Sequence, residues 1–390
     1  MIEAHRLGRP PMAPSEKPAA SLLDRLYGLY ERLLGSPRFQ RWASSFVLTR
    51  PMARKRARAL FDICAGFIYS QVLLACVRLK LFDMLAEGPQ TVAQLSPRLQ
   101  LAPDAAKRLL EAAVSLDLVS RRSGERYGLG SHGAALRANP GIAAMVEHHA
   151  LVYRDLADPV ALLRGQGTRT DLGGYWPYSQ SDDPRNLSAE QVAAYSELMS
   201  VSQPFVAADI LDAYPLDAHR CLLDVGGGEG TFLASAASRA PHLKLMLFDL
   251  PQVAARARNR FALAGLAARA TAYGGDFARD SLPQGADIAS LVRVLHDHND
   301  DTVRAILRAV RVALPPGGTV LIGEPMADAP GAPTVGAAYF GFYLLAMGQG
   351  RARSAAELSA FLAEAGFVDI AHRPTRLPLQ TSVMAARVPT

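Results

Sequence analysis

The stretch Leu222-Leu223-Asp224-Val225-Gly226-Gly227-Gly228-Glu229-Gly230 decides how the rest of the chain reads. A short apolar run carries an acid and breaks at once into four glycines within five positions. This order predicts a buried parallel strand whose C-terminal end turns sharply into a helix. Glycine suits such a turn because backbone without a Cβ passes close to a ligand and reaches positive φ at no steric cost. The turn alone does not choose the ligand, since dinucleotide-binding folds use a similar one.

Outward from that stretch, strand and helix signals alternate. Strands are expected at Cys221–Val225, Lys244–Phe248, Ala270–Tyr273, Ile288–Val292 and Thr319–Ile322, with helices such as Gln252–Leu266 and Asp301–Leu314 between them. This is the α/β pattern of a mostly parallel, doubly wound, Rossmann-like sheet. Two further runs, Val368–His372 and Ser382–Arg387, suit an antiparallel edge pair.

Ligands of such sheets sit outside the C-terminal strand ends. Asp224 stands there ahead of the glycines, and Asp249 ends the second strand in Leu247-Phe248-Asp249-Leu250-Pro251. An acid at that second position can accept both hydroxyls of a ribose. Asp276-Phe277 follows the third strand and offers an acid and an apolar face to an adenine; the fourth delivers Val292-Arg293-Val294-Leu295-His296-Asp297-His298. A dinucleotide would prefer a third glycine where Thr231 stands, and its pyrophosphate would meet negative charge at Asp224. An acid-rich cleft favours a cationic nucleoside instead, and S-adenosylmethionine, a sulfonium without phosphate, is one.

At 390 residues, 49% hydrophobic and 20% charged, the chain has room for two domains and a large core. Cys64, Cys76 and Cys221 are scattered, with neither disulfide nor metal spacing, and no metal is expected. Residues 1–60 hold twelve Lys/Arg against four Asp/Glu, whereas the remainder holds 30 against 32. The basic surplus therefore belongs to an N-terminal arm. No signal peptide is evident. The apolar runs Ile63–Val77 and Val335–Met347 fall short of the ~20 residues of a spanning helix and read as buried helices. These features imply a cytoplasmic protein.

Three units are expected: the arm at 1–59, a mostly helical domain at 60–186 and the α/β domain at 187–390. Residues 1–20 are proline-rich and read as flexible, and from Ser21 the apolar spacing predicts a helix. Aromatics beside clustered arginines, as in Arg38-Phe39-Gln40-Arg41-Trp42, leave two readings open: a surface lying on an anionic membrane, or a solvated arm packed on protein. Helices over Ala65–Leu85, from Thr91 and over Ala102–Leu118, with a hairpin around Ser123-Gly124-Glu125, suggest a winged helix. Its third helix offers only Lys107 and Arg108, offset by Asp104 and Glu111, which is thin for phosphate contacts, so no nucleic-acid partner is expected. The adjacent His148 and His149 lack the i, i+4 spacing of a metal pair. Residues 140–185 mix glycines with aromatics such as Tyr175, Trp176 and Tyr178, and Ser188-Ala189-Glu190-Gln191 then reads as a capping box opening a long helix through Tyr195, Met199 and Phe205 toward Tyr214.

From about Ser188 onward the chain resembles the plant-type family of S-adenosylmethionine-dependent O-methyltransferases. The resemblance rests on Leu223–Gly230, Phe248-Asp249-Leu250-Pro251, Gly275-Asp276-Phe277 and Val294-Leu295-His296-Asp297, and on a winged-helix-like dimerisation domain ahead of them. It implies S-adenosylmethionine as cofactor, S-adenosylhomocysteine as product and a homodimer. It assigns the glycine loop with Gly226 and Gly228 to the methionine part, Asp249 to the ribose, and Asp276 and Phe277 to adenine, with Asp224, Leu250 and Arg293 also among the cofactor-binding residues. It makes His296 the general base and Glu324 its flanking acid. Three positions depart from the family pattern: Val292 replaces a lysine, with Arg293 the nearest cation, His298 an aromatic, and Ala352 a second acid.

Within the family the chain is similar to a branch from photosynthetic bacteria that methylates the tertiary hydroxyl of acyclic hydroxycarotenoids. A lipophilic acceptor then implies a long apolar pocket, for which Tyr339, Phe342, Tyr343 and Met347, with Met145, Tyr153 and Met199, are the candidates. Peripheral contact with the inner or photosynthetic membrane would give the basic arm a purpose. Another lipophilic acceptor, a tetrapyrrole or quinone precursor, and an S-adenosylmethionine-sensing winged-helix regulator are the alternatives.

Overall fold

The computed structural model of the chain describes residues 21–166, 170–176, 187–277, 279–329, 334–376 and 381–390. The expectations for residues 1–20 and for Tyr178 fall outside them. The chain divides into two compact units, Met1–Gln71 and Val72–Thr390.

In the first unit, Ser21 caps the helix Leu22–Gly35 in a reciprocal box with Asp24. Ser36 caps Pro37–Ser45, and the third helix, Arg50–Arg78, runs on past the unit boundary. Leu22, Leu26, Leu29 and Leu33 are all exposed, as are Trp42 and Phe46, whose rings stack at 5.2 Å. Arg56 donates to the Tyr30 hydroxyl at 2.8 Å.

The helix Arg50–Arg78 corrects two expectations. Its 29 residues make it long and apolar enough to cross a membrane, and 17% of its apolar window is buried. Ile63 is 79% exposed and Phe67 61%, so the expected burial of Ile63–Val77 holds only at its end, where Leu74, Cys76 and Val77 enter a core. The helix expected to continue to Leu85 also breaks. Lys80 takes a left-handed φ of 53°, and the short helix Leu81–Ala86 starts anew. Breaking there turns Leu81, Phe82 and Leu85 into the core that holds Leu74.

Strands β1 (Gln90–Thr91), β2 (Val119–Arg122) and β3 (Arg126–Leu129) form a sheet in the order β1-β3-β2 beside the helices Val92–Leu99 and Pro103–Ser115. The hairpin turns through Gly124 and Glu125 at φ of 68° and 52°, completing the winged-helix pattern. On the third helix, Glu111 accepts from Tyr127 Oη at 2.6 Å and pairs with Arg121, so that face is tied to the wing.

The remaining strands form one seven-stranded sheet. They are β4 (Cys221–Val225), β5 (Lys244–Asp249), β6 (Ala270–Gly274), β7 (Ile288–Val292), β8 (Thr319–Glu324), β9 (Val368–Arg373) and β10 (Ser382–Arg387), in the order β6-β5-β4-β7-β8-β10-β9. The first five are parallel, while β10 runs antiparallel to both β8 and β9. Strands β4, β7 and β8 are buried along their whole length, as their unbroken apolar runs require of strands covered on both faces. One face packs on Asp300–Ala313 and Ala355–Glu364, the other on Ala189–Ala213, Thr231–Arg239 and Pro251–Leu263. Strand order reverses between β4 and β7, so the glycine turn sits at the crevice where such folds bind ligands. A smaller core joins Leu172 and Trp176 to Tyr343, Leu344 and Met347 of the helix Gly341–Met347, which a π-helical segment, Thr334–Phe340, precedes.

Candidate active site

A cavity of roughly 310 Å³ opens at that crevice. Asp224, Gly226, Gly228, Asp249, Leu250, Asp276, Phe277 and Arg293 all line it, as do Thr231, Val292, Asp297 and His298. The glycines are needed by shape. At Gly226, with φ of 70°, a Cβ would stand 2.8 Å from Val294 Cγ2, and at Gly230, with φ of 80°, 2.4 Å from Phe261 Cε1. The neighbouring Glu229 is gripped by Arg256 at 2.6 Å and Arg260 at 2.7 Å, while Arg260 also donates to Ser200 at 2.9 Å. These contacts tie the turn to Pro251–Leu263 and to the long helix Ala189–Ala213. They went unforeseen because the partners lie 27 and 31 residues away in sequence.

Asp224 is fully buried. Its Oδ1 accepts the Ser290 hydroxyl at 2.6 Å, while Oδ2 has no hydrogen-bond partner among the described residues. Burial pushes this carboxyl up to about 7, with the nearby Asp249 charge adding to the rise against the Ser290 bond. An unpartnered carboxylate oxygen beneath a cavity suits a cationic ligand group. Asp249 accepts the N–H of Gly228 and of Leu250, both at 2.7 Å, one on each oxygen. Each oxygen keeps a lone pair for a hydroxyl. Burial raises this carboxyl to about 6 against the pull of those two donors.

Phe277 meets the edge of the His298 ring at 5.2 Å, so the histidine that departs from the family's aromatic lies beside the adenine candidates. Burial pushes His298 down to about 4 and keeps it neutral. Asp276 lies 3.8 Å from Arg279. Arg293 holds a left-handed φ of 59° at the end of β7, a strained conformation of a kind that gathers at functional sites. Its guanidinium turns to the long helix, donating to Ser202 at 2.9 Å and lying 3.1 Å from Met199 Sδ.

His296 sits behind this cavity on a 3₁₀ turn, Leu295–Asp297, and does not line it. Its Nδ1 is bonded to Glu324 Oε2, and Glu324 Oε1 also accepts the N–H of Val294 at 2.8 Å and of Leu295 at 2.7 Å. A carboxylate on Nδ1 places the proton there and leaves Nε2 its lone pair. Nε2 is 3.1 Å from Asp297 Oδ1 but out of hydrogen-bond alignment, so that contact is electrostatic. Burial opposes protonation of His296, yet Asp297 and Glu324 outweigh it and hold its pKa above the ordinary imidazole value.

The candidates for the acceptor pocket are less gathered. Met199 lines the cavity, Tyr343 and Met347 are buried in the small core, and Tyr339 and Phe342 remain over a third exposed. Met145 and Tyr153 are half-buried and do not line the cavity. The adjacent histidines serve this region: His148 Nε2 bonds the Tyr343 hydroxyl and His149 Nε2 that of Tyr339, both at 2.7 Å. Phe340 links the two areas, standing edge-on to the His296 ring at 5.7 Å and 5.0 Å from Tyr339. Neighbouring Ala352, the buried Arg353 was missed; the arginines of Gly350-Arg351-Ala352-Arg353 are its only sequence signal.

A glycine turn at the switch point, acids at three strand ends and a histidine–glutamate pair define a methyltransferase that uses S-adenosylmethionine. The chain belongs to the O-methyltransferase family, whose domain matches residues 153–368 and whose dimerisation domain matches residues 61–137. It is 46% identical to the demethylspheroidene O-methyltransferase of Cereibacter sphaeroides over 92% of this chain and 94% of that protein. With the enzyme of the same name from Rhodobacter capsulatus it shares 40% identity over 97% and 94%. Among solved structures, human N-acetylserotonin methyltransferase in complex with S-adenosylmethionine aligns with a TM-score of 0.71 at 25% identity, covering 86% of this chain and 98% of that one. The dimerisation match covers the exposed Ile63 and Phe67.

Cofactor affinity should therefore depend on pH. If Asp249 takes the ribose hydroxyls and Asp224 faces the ligand's positive charge, both must act as carboxylates, so binding should be strong above their raised pKa values of about 6 and about 7 and weaken as pH falls through them. Asp249→Asn should weaken S-adenosylhomocysteine binding by about 10- to 100-fold at pH 8, the equivalent of one or two charge-assisted hydrogen bonds. It should also remove the more acidic of the two steps; calorimetric titration between pH 5 and 8 reads both.

Proposed function

We propose that this enzyme methylates the tertiary hydroxyl of an acyclic hydroxycarotenoid, with His296 as general base. The observation that carries the acceptor is the 46% identity to a demethylspheroidene O-methyltransferase over 94% of that protein's length. The aromatic run Tyr339-Phe340-Gly341-Phe342-Tyr343 beside His296 suits a polyene better than a sugar.

Bound S-adenosylmethionine supplies a methyl group on a positively charged sulfur. The chain's own part is to hold the acceptor oxygen in line and to receive its proton at His296 Nε2. Positioning is the larger share, since orienting two bound reactants can lower a barrier by ~7–11 kcal/mol. A tertiary alcohol is too weak an acid for an imidazole to ionise beforehand. Proton transfer accompanies formation of the C–O bond, and the Glu324 carboxylate stabilises the imidazolium as it forms. The base works only when neutral, so turnover falls as pH drops through a His296 pKa lying above the ordinary value.

The arm supports a second part of the proposal, that the enzyme works at the surface of the inner or photosynthetic membrane where such a pigment dissolves. Residues 22–59 precede the dimerisation match and combine exposed Leu22, Leu26, Trp42 and Phe46 with clustered arginines. Apolar side chains on a basic helical surface suit anionic headgroups, each cation contributing about 1 kcal/mol near the surface.

His296→Gln should lower kcat by ~10²–10⁴-fold on hydroxycarotenoid and remove the acid limb of its pH profile. Unchanged turnover at saturating acceptor would sink the base assignment, and no mass gain in a carotenoid would sink the acceptor. For the membrane, the full chain should co-sediment with vesicles rich in phosphatidylglycerol, less so at high salt, while removal of residues 1–59 should abolish the effect.

A further inference from the structure

The turn that carries His296 is gripped on two sides. Glu324 holds its entry through the N–H groups of Val294 and Leu295. Opposite stands Arg353, whose side chain is 1% exposed. Its Nη1 donates to the Leu295 carbonyl and its Nη2 to the His298 carbonyl, both at 2.7 Å. Those carbonyls bracket His296 and Asp297, so a single guanidinium spans the turn. Asp300 Oδ1 accepts from Nε at 3.1 Å and from Nη2 at 2.7 Å, fixing the plane of the fork. Arg351 in turn holds Asp300, donating to Oδ1 at 3.1 Å and Oδ2 at 3.0 Å. Gly350, with φ of 82°, brings this segment hard against the turn: a Cβ there would lie 2.3 Å from the His296 carbonyl oxygen.

A buried cation is costly unless it is paired and hydrogen-bonded. Of the charged side chains, only the planar fork of arginine can serve two carbonyls and a carboxylate at once. We infer that Arg353 is a positioning residue for methyl transfer: it fixes the carbonyls on either side of His296 so that the imidazole keeps its bond to Glu324 and its Nε2 direction. The inference rests on the reading of His296 as base. Support that the family pattern places in an acid at Ala352 would then come, in this chain, from its neighbour acting through the backbone.

The groups facing the imidazole are Glu324 on β8, Asp297 on its own turn, Arg293 and His298 on either side, and the Phe340 ring. Glu324 and Asp297 raise its pKa, and Arg293 lowers it. Loosening the turn weakens the Glu324 contact first, so the ring should titrate at lower pH.

The test compares the full-length wild type with Arg353→Met and Arg353→Lys, following kcat, KM, S-adenosylhomocysteine affinity and the His296 imidazole titration by NMR, assigned with His296→Gln. Arg353→Met should lower kcat by ~10- to 100-fold, as expected for a displaced reacting group, with cofactor affinity unchanged. Both the imidazole titration and the acid limb of kcat should move to lower pH. Arg353→Lys, able to keep one carbonyl, should recover part of each. An unmoved titration, or equal losses in kcat and cofactor affinity, would overturn the inference. Should Arg353→Met fail to fold, Arg353→Lys against wild type decides on the same two readouts. If His296→Gln proves active, the base assignment fails by itself; positioning is then judged on the titration, which needs no turnover.

Discussion

One carboxylate organises the turn that carries His296. Glu324 ends β8 with both oxygens turned to the neighbouring strand's exit, where they take up two backbone N–H groups and a histidine ring. Few other residues could do this: the acceptor must be ionised, short enough to stay at the sheet and shielded from water, and its 1% exposure meets the last condition. The backbone it holds continues directly into Asp297 and His298, which face the cavity. The location of the ring and the wall of the cofactor site are thus set by the same bond.

Buried negative charge is the site's recurring expense, and the neighbouring donors show how it is met. Asp249 has two N–H groups, Glu324 two N–H groups and a ring, whereas Asp224 has a single hydroxyl. The least satisfied acid lies beneath the glycine turn, a place that suits a positively charged ligand. A dinucleotide would do the reverse and bring phosphate to an uncompensated carboxylate.

Much of the fold was legible in the sequence. Strands β4, β7 and β8 announce themselves because burial on both faces demands unbroken apolar runs, and the ends of β4 and β8 carry acids. The antiparallel pair β9 and β10 was legible from length and spacing. What escaped were features set by partners far away in the chain. The break at Lys80 depends on one left-handed residue that sequence periodicity does not register. The exposed face of Arg50–Arg78 looked like core because an apolar run does not say whether anything in its own chain packs against it. At the site, the strand-end residues were readable because topology gathers them. Arg353 was hidden behind the absence of an acid at Ala352, since its role runs through carbonyls that no side-chain pattern records. Likewise His148 and His149 declare no partner until the Thr334–Met347 segment comes alongside them.

The position of β10 has a consequence for how the protein is made. It lies between β8 and β9, with Ser382 opposite Glu324 and Arg387 opposite Thr319. A strand that follows β8 by more than fifty residues in the chain therefore closes the flank of the strand that supports the histidine. Until it leaves the ribosome, β8 has one unpaired edge, open to pairing with another chain. A nascent chain can assemble its glycine turn and strands β4, β5 and β6 early, but β8, which supports the turn bearing His296, is not flanked on both sides until β10 has been made.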